Sequence, residues 1–189
     1  DLFLLGSWNV ILELARFIES EFKNFIKSKE ITISFGIAMA KPSKPINYLA
    51  SQTEYLLEES KDYKEKENKK IIHEKDALTL FGETVKWNDY KMVFDELKIA
   101  FESFENKDIN TAFLYRLLEF CEMSKKVKYG GDILSTIWKS KLRYSFFRNN
   151  DNLAENIYKI LDEKIDNNPK ETKMTICEFI YKRRKNGTD

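Results

Sequence analysis

Ser34 and Gly36 are the first residues whose type and spacing could serve chemistry. They fall in Ile31-Thr32-Ile33-Ser34-Phe35-Gly36-Ile37-Ala38, where apolar and small residues alternate as on a half-buried strand. Thr32, Ser34, Gly36 and Ala38 then share a face with little side-chain bulk. Such a face lets a nucleotide approach the sheet backbone, and it equally lets a helix pack close; both readings stand at this point. A second candidate is Gly130-Gly131-Asp132, a carboxylate behind two glycines. The residues after it, Ile133, Leu134, Ile137, Trp138 and Leu142, have helical spacing, so Asp132 is expected as a helix N-cap with loop glycines before it. The basic tail Lys182-Arg183-Arg184-Lys185 could contact RNA phosphates, but cations in a last helical turn also complement the helix C-terminus, and that reading is preferred. His73 is the single histidine, and Cys121 and Cys177 lack CxxC spacing. A zinc site built from this chain is not expected, and the two thiols read as reduced and buried.

The elements that must position these residues fall into two halves. Leu2 to Leu5 reads as a buried strand, and Gly6-Ser7 as a break and N-cap. Ile11, Leu14, Ile18, Phe22, Phe25 and Ile26 follow at helical spacing to about Lys29. After the strand at 31–38, Pro42 and Pro45 bracket a turn, and Ile46, Leu49, Thr53, Leu56 and Leu57 form the next helical stripe. The run Lys61 to Lys70 carries both charges and reads as a solvated helix end and loop. Ala77 to Phe81 is a short strand closed by Gly82. From Asn88 the alternation vanishes. Five amphipathic helices are expected, around Val93 to Phe104, Phe113 to Phe120, Asp132 to Leu142, Leu153 to Leu161 and Met174 to Ile180. Their short connections favour an antiparallel bundle. The division is therefore 1–87 and 88–189. Aromatic residues of the helical half, Phe113, Phe120, Trp138, Tyr144, Phe146 and Phe147, are expected mostly in the core, with any left exposed serving a neighbouring subunit.

Composition narrows the class. The chain has 189 residues, 42% of them hydrophobic, enough to bury a core. Charged residues make up 33% but cancel to +1, so any polyanion binding must be local. No apolar run approaches a membrane span, which fits a cytoplasmic protein. The start, without Met and already apolar, leads to the expectation that an upstream portion is missing.

Three strings, in this order and spacing, resemble the large subunit of the type III-A CRISPR-Cas effector. Asp1-Leu2-Phe3-Leu4-Leu5-Gly6-Ser7-Trp8 is similar to the segment following Gly-Gly-Asp in that family's Gly-Gly-Asp-Asp hairpin. Ile33-Ser34-Phe35-Gly36-Ile37 is similar to its Leu-Ser-Ala-Gly-Ile strand, and Lys75-Asp76-Ala77-Leu78-Thr79-Leu80-Phe81-Gly82 to its Lys-Asn-x-Ile-x-Leu-Phe strand. Ala112 to Leu118 and Glu178 to Tyr181 follow its C-terminal layout. The resemblance implies an α+β protein: part of a ferredoxin-like palm of the nucleotide-cyclase or GGDEF type, followed by an all-α helical bundle.

In that family the second palm makes cyclic oligoadenylate from ATP when the complex holds a target RNA, and an upstream HD domain cuts single-stranded DNA. The resemblance makes Asp1 the last aspartate of the hairpin, a ligand for Mg or Mn. It puts Ser34 and Gly36 beside the nucleotide. Lys61, with Lys75 as a weaker companion, becomes a point charge for triphosphate oxygens. Glu58-Glu59-Ser60 stands before Lys61 where the family has alanines. The partners implied are the small effector subunit, the subunit capping the guide 5' end, crRNA, target RNA and ATP. As it stands, the isolated chain is expected to be inactive. A second hypothesis makes the helical half a non-catalytic module docking small subunits and RNA. A GGDEF-type diguanylate cyclase ranks third, because it needs neither the helical half nor the strand at Leu78 to Phe81.

Overall fold

The computed structural model describes residues 2–26, 31–67, 70–105, 111–147 and 152–186. Two compact units divide the chain, Asp1–Trp87 and Asn88–Asp189, and the whole is α+β.

In the first unit, α1 (Trp8–Ile26) starts where Ile11 N–H donates to Ser7 O, so the expected break does act as the helix entry. The buried stripe on α1 is Leu12, Ala15 and Glu19 rather than the apolar set read from the sequence, and Phe25 is exposed. Strand β1 is short, Phe35–Gly36, and is followed by α2 (Ile46–Lys61). Next come two hairpins: β2 (Lys64–Glu67) with β3 (Lys70–Glu74), and β4 (Ala77–Leu80) with β5 (Glu83–Lys86). A three-stranded sheet has the order β1-β4-β5, β1 parallel to β4 and β4 antiparallel to β5, with Gly36 opposite Thr79 and Thr79 opposite Thr84. All four residues of central β4 are buried.

Three sequence expectations need correction here. Leu2 to Leu5 forms no strand, and its side chains are exposed. An extended apolar segment becomes a strand only where a neighbour takes up its backbone groups, and no described strand lies alongside it. The strand at 31–38 shrinks to two paired residues for the same reason. The charged run after Lys61 contains the first strand of the β2–β3 hairpin, not a loop: backbone pairing, with Lys64 opposite Glu74 and Glu67 opposite Lys70, supplies what propensity does not. Strand β5 was likewise hidden. Its turn, Phe81-Gly82, has φ of +53° and +75°, the paired positive values a two-residue hairpin requires.

The second unit packs five helices: α3 (Trp87–Glu105), α4 (Thr111–Gly130), α5 (Trp138–Phe147), α6 (Asn152–Asn167) and α7 (Pro169–Asn186), with a 3-10 turn at Ile133–Ile137 before α5. Pro169 opens α7, where its missing N–H costs nothing. The core joins Leu97 and Phe101 of α3, Leu117 and Phe120 of α4, Trp138 and Leu142 of α5, Leu161 and Ile165 of α6, and Ile176 and Phe179 of α7. Phe101 stacks on Phe179 at 4.5 Å. Buried polar groups are paired across helices: Tyr90 Oη donates to Glu178 Oε2 at 3.0 Å, and Ser124 Oγ to Ile165 O at 2.6 Å. Of the expected third helix, Ile133, Leu134 and Ile137 are 79%, 87% and 53% exposed. They sit on the 3-10 turn and miss the core, because a 3.0-residue turn does not keep the α-helical face. Phe120, Trp138 and Phe146 are core, whereas Tyr144 and Phe147 are exposed.

Candidate functional site

Of the residues singled out in the first unit, Gly36 lies on β1 and Lys61 ends α2, the helix that packs on that strand. Gly36 sits under α2 itself. A Cβ built on it would lie 2.2 Å from Leu57 N and 2.6 Å from Leu56 C, so helix backbone lies directly over the glycine. Of the two readings of the small-residue face, close helix packing is the one this geometry supports at Gly36. Ser34 is half-buried in the extended segment leading into β1. Phe35 points the other way, edge-on to Trp87 with centroids 5.0 Å apart.

Lys61 is the last residue of α2, its side chain partly exposed and its Nζ 2.9 Å from Glu58 Oε1. A pair at this exposure contributes little and would yield to a stronger anion. Lys75 lies at the far end of β3, exposed, with φ of +58°, and its N–H donates to Tyr63 O at 3.0 Å. That bond brings Lys61 and Lys75 to the same end of the β2–β3 hairpin, 14 residues apart in sequence. Asp1 lies outside the described residues.

Two sets of residues escaped sequence reasoning. Buried Ser60 and Thr79 and half-buried Thr84 form a chain of hydroxyls, with Ser60 Oγ 2.7 Å from Thr79 Oγ1 and Thr79 Oγ1 3.0 Å from Thr84 Oγ1. The available signal was a serine continuing the apolar stripe Thr53, Leu56, Leu57. The second set is Glu19, Lys23 and Asp76. Glu19 is fully buried, and Lys23 Nζ lies 2.5 Å from Glu19 Oε1 and 3.5 Å from Asp76 Oδ2. Asp76 has φ of +49° and its carbonyl accepts the Trp87 N–H at 3.0 Å. Both carboxylates therefore answer an ammonium group. Among the described residues no group of three or more His, Cys, Asp or Glu is placed to hold a metal ion.

The other candidates resolve into structural roles. Gly131, at φ +69°, ends α4 by donating its N–H to Val127 O, a left-handed cap. Asp132 then caps the 3-10 turn, accepting from Leu134 N at 3.1 Å and Ser135 Oγ at 2.6 Å. The Ser135 bond holds its carboxyl below the usual range, helped by the Leu134 N–H. The basic tail is part of α7: Lys182 pairs with Glu178 at 3.3 Å and Arg184 donates to Tyr115 Oη. Cys121 is buried and Cys177 half-buried, and both are free thiols. No described helix is long and apolar enough to cross a membrane.

Residues 1–70, which contain β1, α2 and the start of the β2–β3 hairpin, match the family Cas10/Cmr2, second palm domain. The chain is also similar to the CRISPR system single-strand-specific deoxyribonuclease Cas10/Csm1 (subtype III-A) of Methanocaldococcus jannaschii, with 31% identity over 100 residues. That match takes in 51% of this chain and 12% of the relative, so the chain corresponds to a small part of that protein. The Cas10 palm match includes Ser34, Gly36 and Lys61 and stops short of Lys75.

Proposed function

We propose that in the intact protein residues 1–87 complete the second palm, of ferredoxin-like arrangement, in the large subunit of a type III-A CRISPR effector. The palm converts ATP into cyclic oligoadenylate when the complex holds crRNA and target RNA. The observation that carries this reading is the Cas10/Cmr2 palm match over residues 1–70. The two lysines at one end of the β2–β3 hairpin support it. In this reading a 3'-hydroxyl attacks the α-phosphorus of ATP and pyrophosphate leaves. Lys61 and Lys75 neutralise triphosphate oxygens as point charges, and Ser34 lines the approach to β1. Asp1 would hold Mg or Mn, which when bound stabilises the charge developing on the phosphoryl oxygens. An upstream nuclease domain and a cytoplasmic location belong to the same proposal. The test is Asp1→Ala in the full-length subunit. Assembly of the complex should persist while oligoadenylate synthesis stops, and undiminished product would refute the assignment.

A second reading concerns the helical unit, and the exposed Ile133, Leu134, Ile137, Tyr144 and Phe147 favour it. Large apolar side chains left in water on one unit mark a contact surface. We propose that this unit docks the small effector subunit. A full-length subunit with Leu134→Asp that still co-purifies fully with the small subunit would remove that reading.

A further inference from the structure

Apolar packing is not what fixes the last turn of α2. Ser60 is the one buried residue described on that helix. Its Oγ lies 2.6 Å from Phe35 O, 3.1 Å from Leu56 O and 2.7 Å from Thr79 Oγ1. A hydroxyl has one proton to donate, and a carbonyl only accepts. Ser60 therefore donates to a carbonyl, the shorter contact being Phe35 O. Thr79 must then donate to Ser60, and Thr84, 3.0 Å away, to Thr79. The proton order runs one way from β5 through β4 to α2 and on to β1. Buried chains of this kind reinforce each bond and leave each lost partner costly.

Gly36 adds a steric constraint. With Leu57 N only 2.2 Å from where its Cβ would be, α2 rests directly on the β1 backbone. The helix is pinned one turn apart by a missing side chain and by a hydroxyl. Immediately beyond the pin come Lys61 and then Tyr63, whose carbonyl accepts the Lys75 N–H.

We propose that Ser60, Thr79 and Thr84 are positioning residues that hold Lys61, and through Tyr63 also Lys75, in place for the triphosphate of ATP. This rests on the reading of the two lysines given above. A core position needs no oxygen for packing alone; the hydroxyls supply direction, tying the helix end to three strands at one register.

The test uses the full-length subunit in its target-RNA-bound complex, with ATP varied. Ser60→Ala and Thr79→Val should each raise the KM for ATP about tenfold, the size of one lost hydrogen bond, with kcat within about twofold, as expected for lost binding that is uniform along the reaction. Thr79→Ser retains the hydroxyl and should stay near wild type. In the 189-residue chain without ATP, Ser60→Ala should speed amide exchange at residues 58–62. Wild-type KM in Ser60→Ala and Thr79→Val, while Lys61→Ala raises it, would overturn the positioning role alone. Wild-type KM in Lys61→Ala would overturn the lysine reading and this role with it. Loss of folding in both Ser60→Ala and Thr79→Val, with Thr79→Ser intact, would make the hydroxyls a folding element and also overturn the proposal.

Discussion

Gly36→Ala should be among the most damaging single-methyl additions possible in this chain. The added Cβ would meet three backbone atoms of α2, Leu57 N at 2.2 Å, Leu56 C at 2.6 Å and Leu57 Cα at 2.8 Å. Backbone cannot swing aside as a side-chain tip can. To reach an ordinary contact near 3.5 Å, α2 must rise from β1 by about 1 Å. A shift of that size stretches the 2.6 Å bond from Ser60 to Phe35 O and the 2.7 Å contact to Thr79 beyond hydrogen-bond range. Overpacking costs about 1–3 kcal/mol, and the loss of a buried hydrogen bond adds about 1 kcal/mol more, so about 2–4 kcal/mol is expected. For a unit of this size, 1 kcal/mol moves the melting temperature by about 4–8 °C; a fall of about 8 °C or more follows for the first unit. The assay is thermal unfolding of the whole chain, with amide exchange on α2 reporting the first unit separately. Gly82→Ala is the control. Gly82 has φ of +75° but nothing within 4 Å of a Cβ, so it should cost about 1–2 kcal/mol from backbone conformation alone. If Gly36→Ala proves milder than Gly82→Ala, or changes stability by under 1 kcal/mol, the close approach of α2 to β1 is wrong.

Two further outcomes concern the helical unit. Glu171 is buried in the first turn of α7; burial is the main cause pushing its carboxyl above the ordinary glutamate range, and the charge of Asp89 pushes the same way. A raised folded pKa means that the folded state binds more protons than the unfolded one above pH 4.5, so stability falls as pH rises through that window. Glu171→Gln should therefore raise the melting temperature at about pH 8 and have little effect at about pH 4; an equal effect at both would contradict the burial account. Tyr90→Phe removes the 3.0 Å bond to Glu178 and leaves a buried carboxylate with one donor fewer, so denaturant unfolding should show a loss of about 1.5–3 kcal/mol. A change below 0.5 kcal/mol would mean that water or Lys182 replaces the tyrosine.

What could be read in advance follows from which forces are local. α1, α2, β4 and the helices after residue 88 were visible because apolar side chains repeat at the period of the element that buries them. β2, β3 and β5 were not. Glu83-Thr84-Val85-Lys86 and Lys64 to Glu67 lack an apolar pattern, and their strand form comes from backbone pairing across tight hairpins, which apolar periodicity does not record. The error at Leu2 to Leu5 is the converse, a strand-like pattern with no described neighbour to satisfy its backbone. At Ile133 to Ile137 the spacing looked helical, but the glycine-terminated end of α4 and the Asp132 cap impose a tighter turn, which turns those side chains out to water.

The candidate site divides in the same way. The sequence by itself determined the palm resemblance, the order of its strings and the lysines at 61 and 75, because residue identity and spacing carry that information. Only the tertiary structure decided that Gly36 serves close helix packing, since the atoms that would meet its Cβ belong to a helix about twenty residues further along. It alone placed Ser60 between Phe35 O and Thr79, and brought Lys75 back to Tyr63. A hydrogen bond depends on distance and direction between groups that the chain brings together only on folding, and no pattern in the sequence records either.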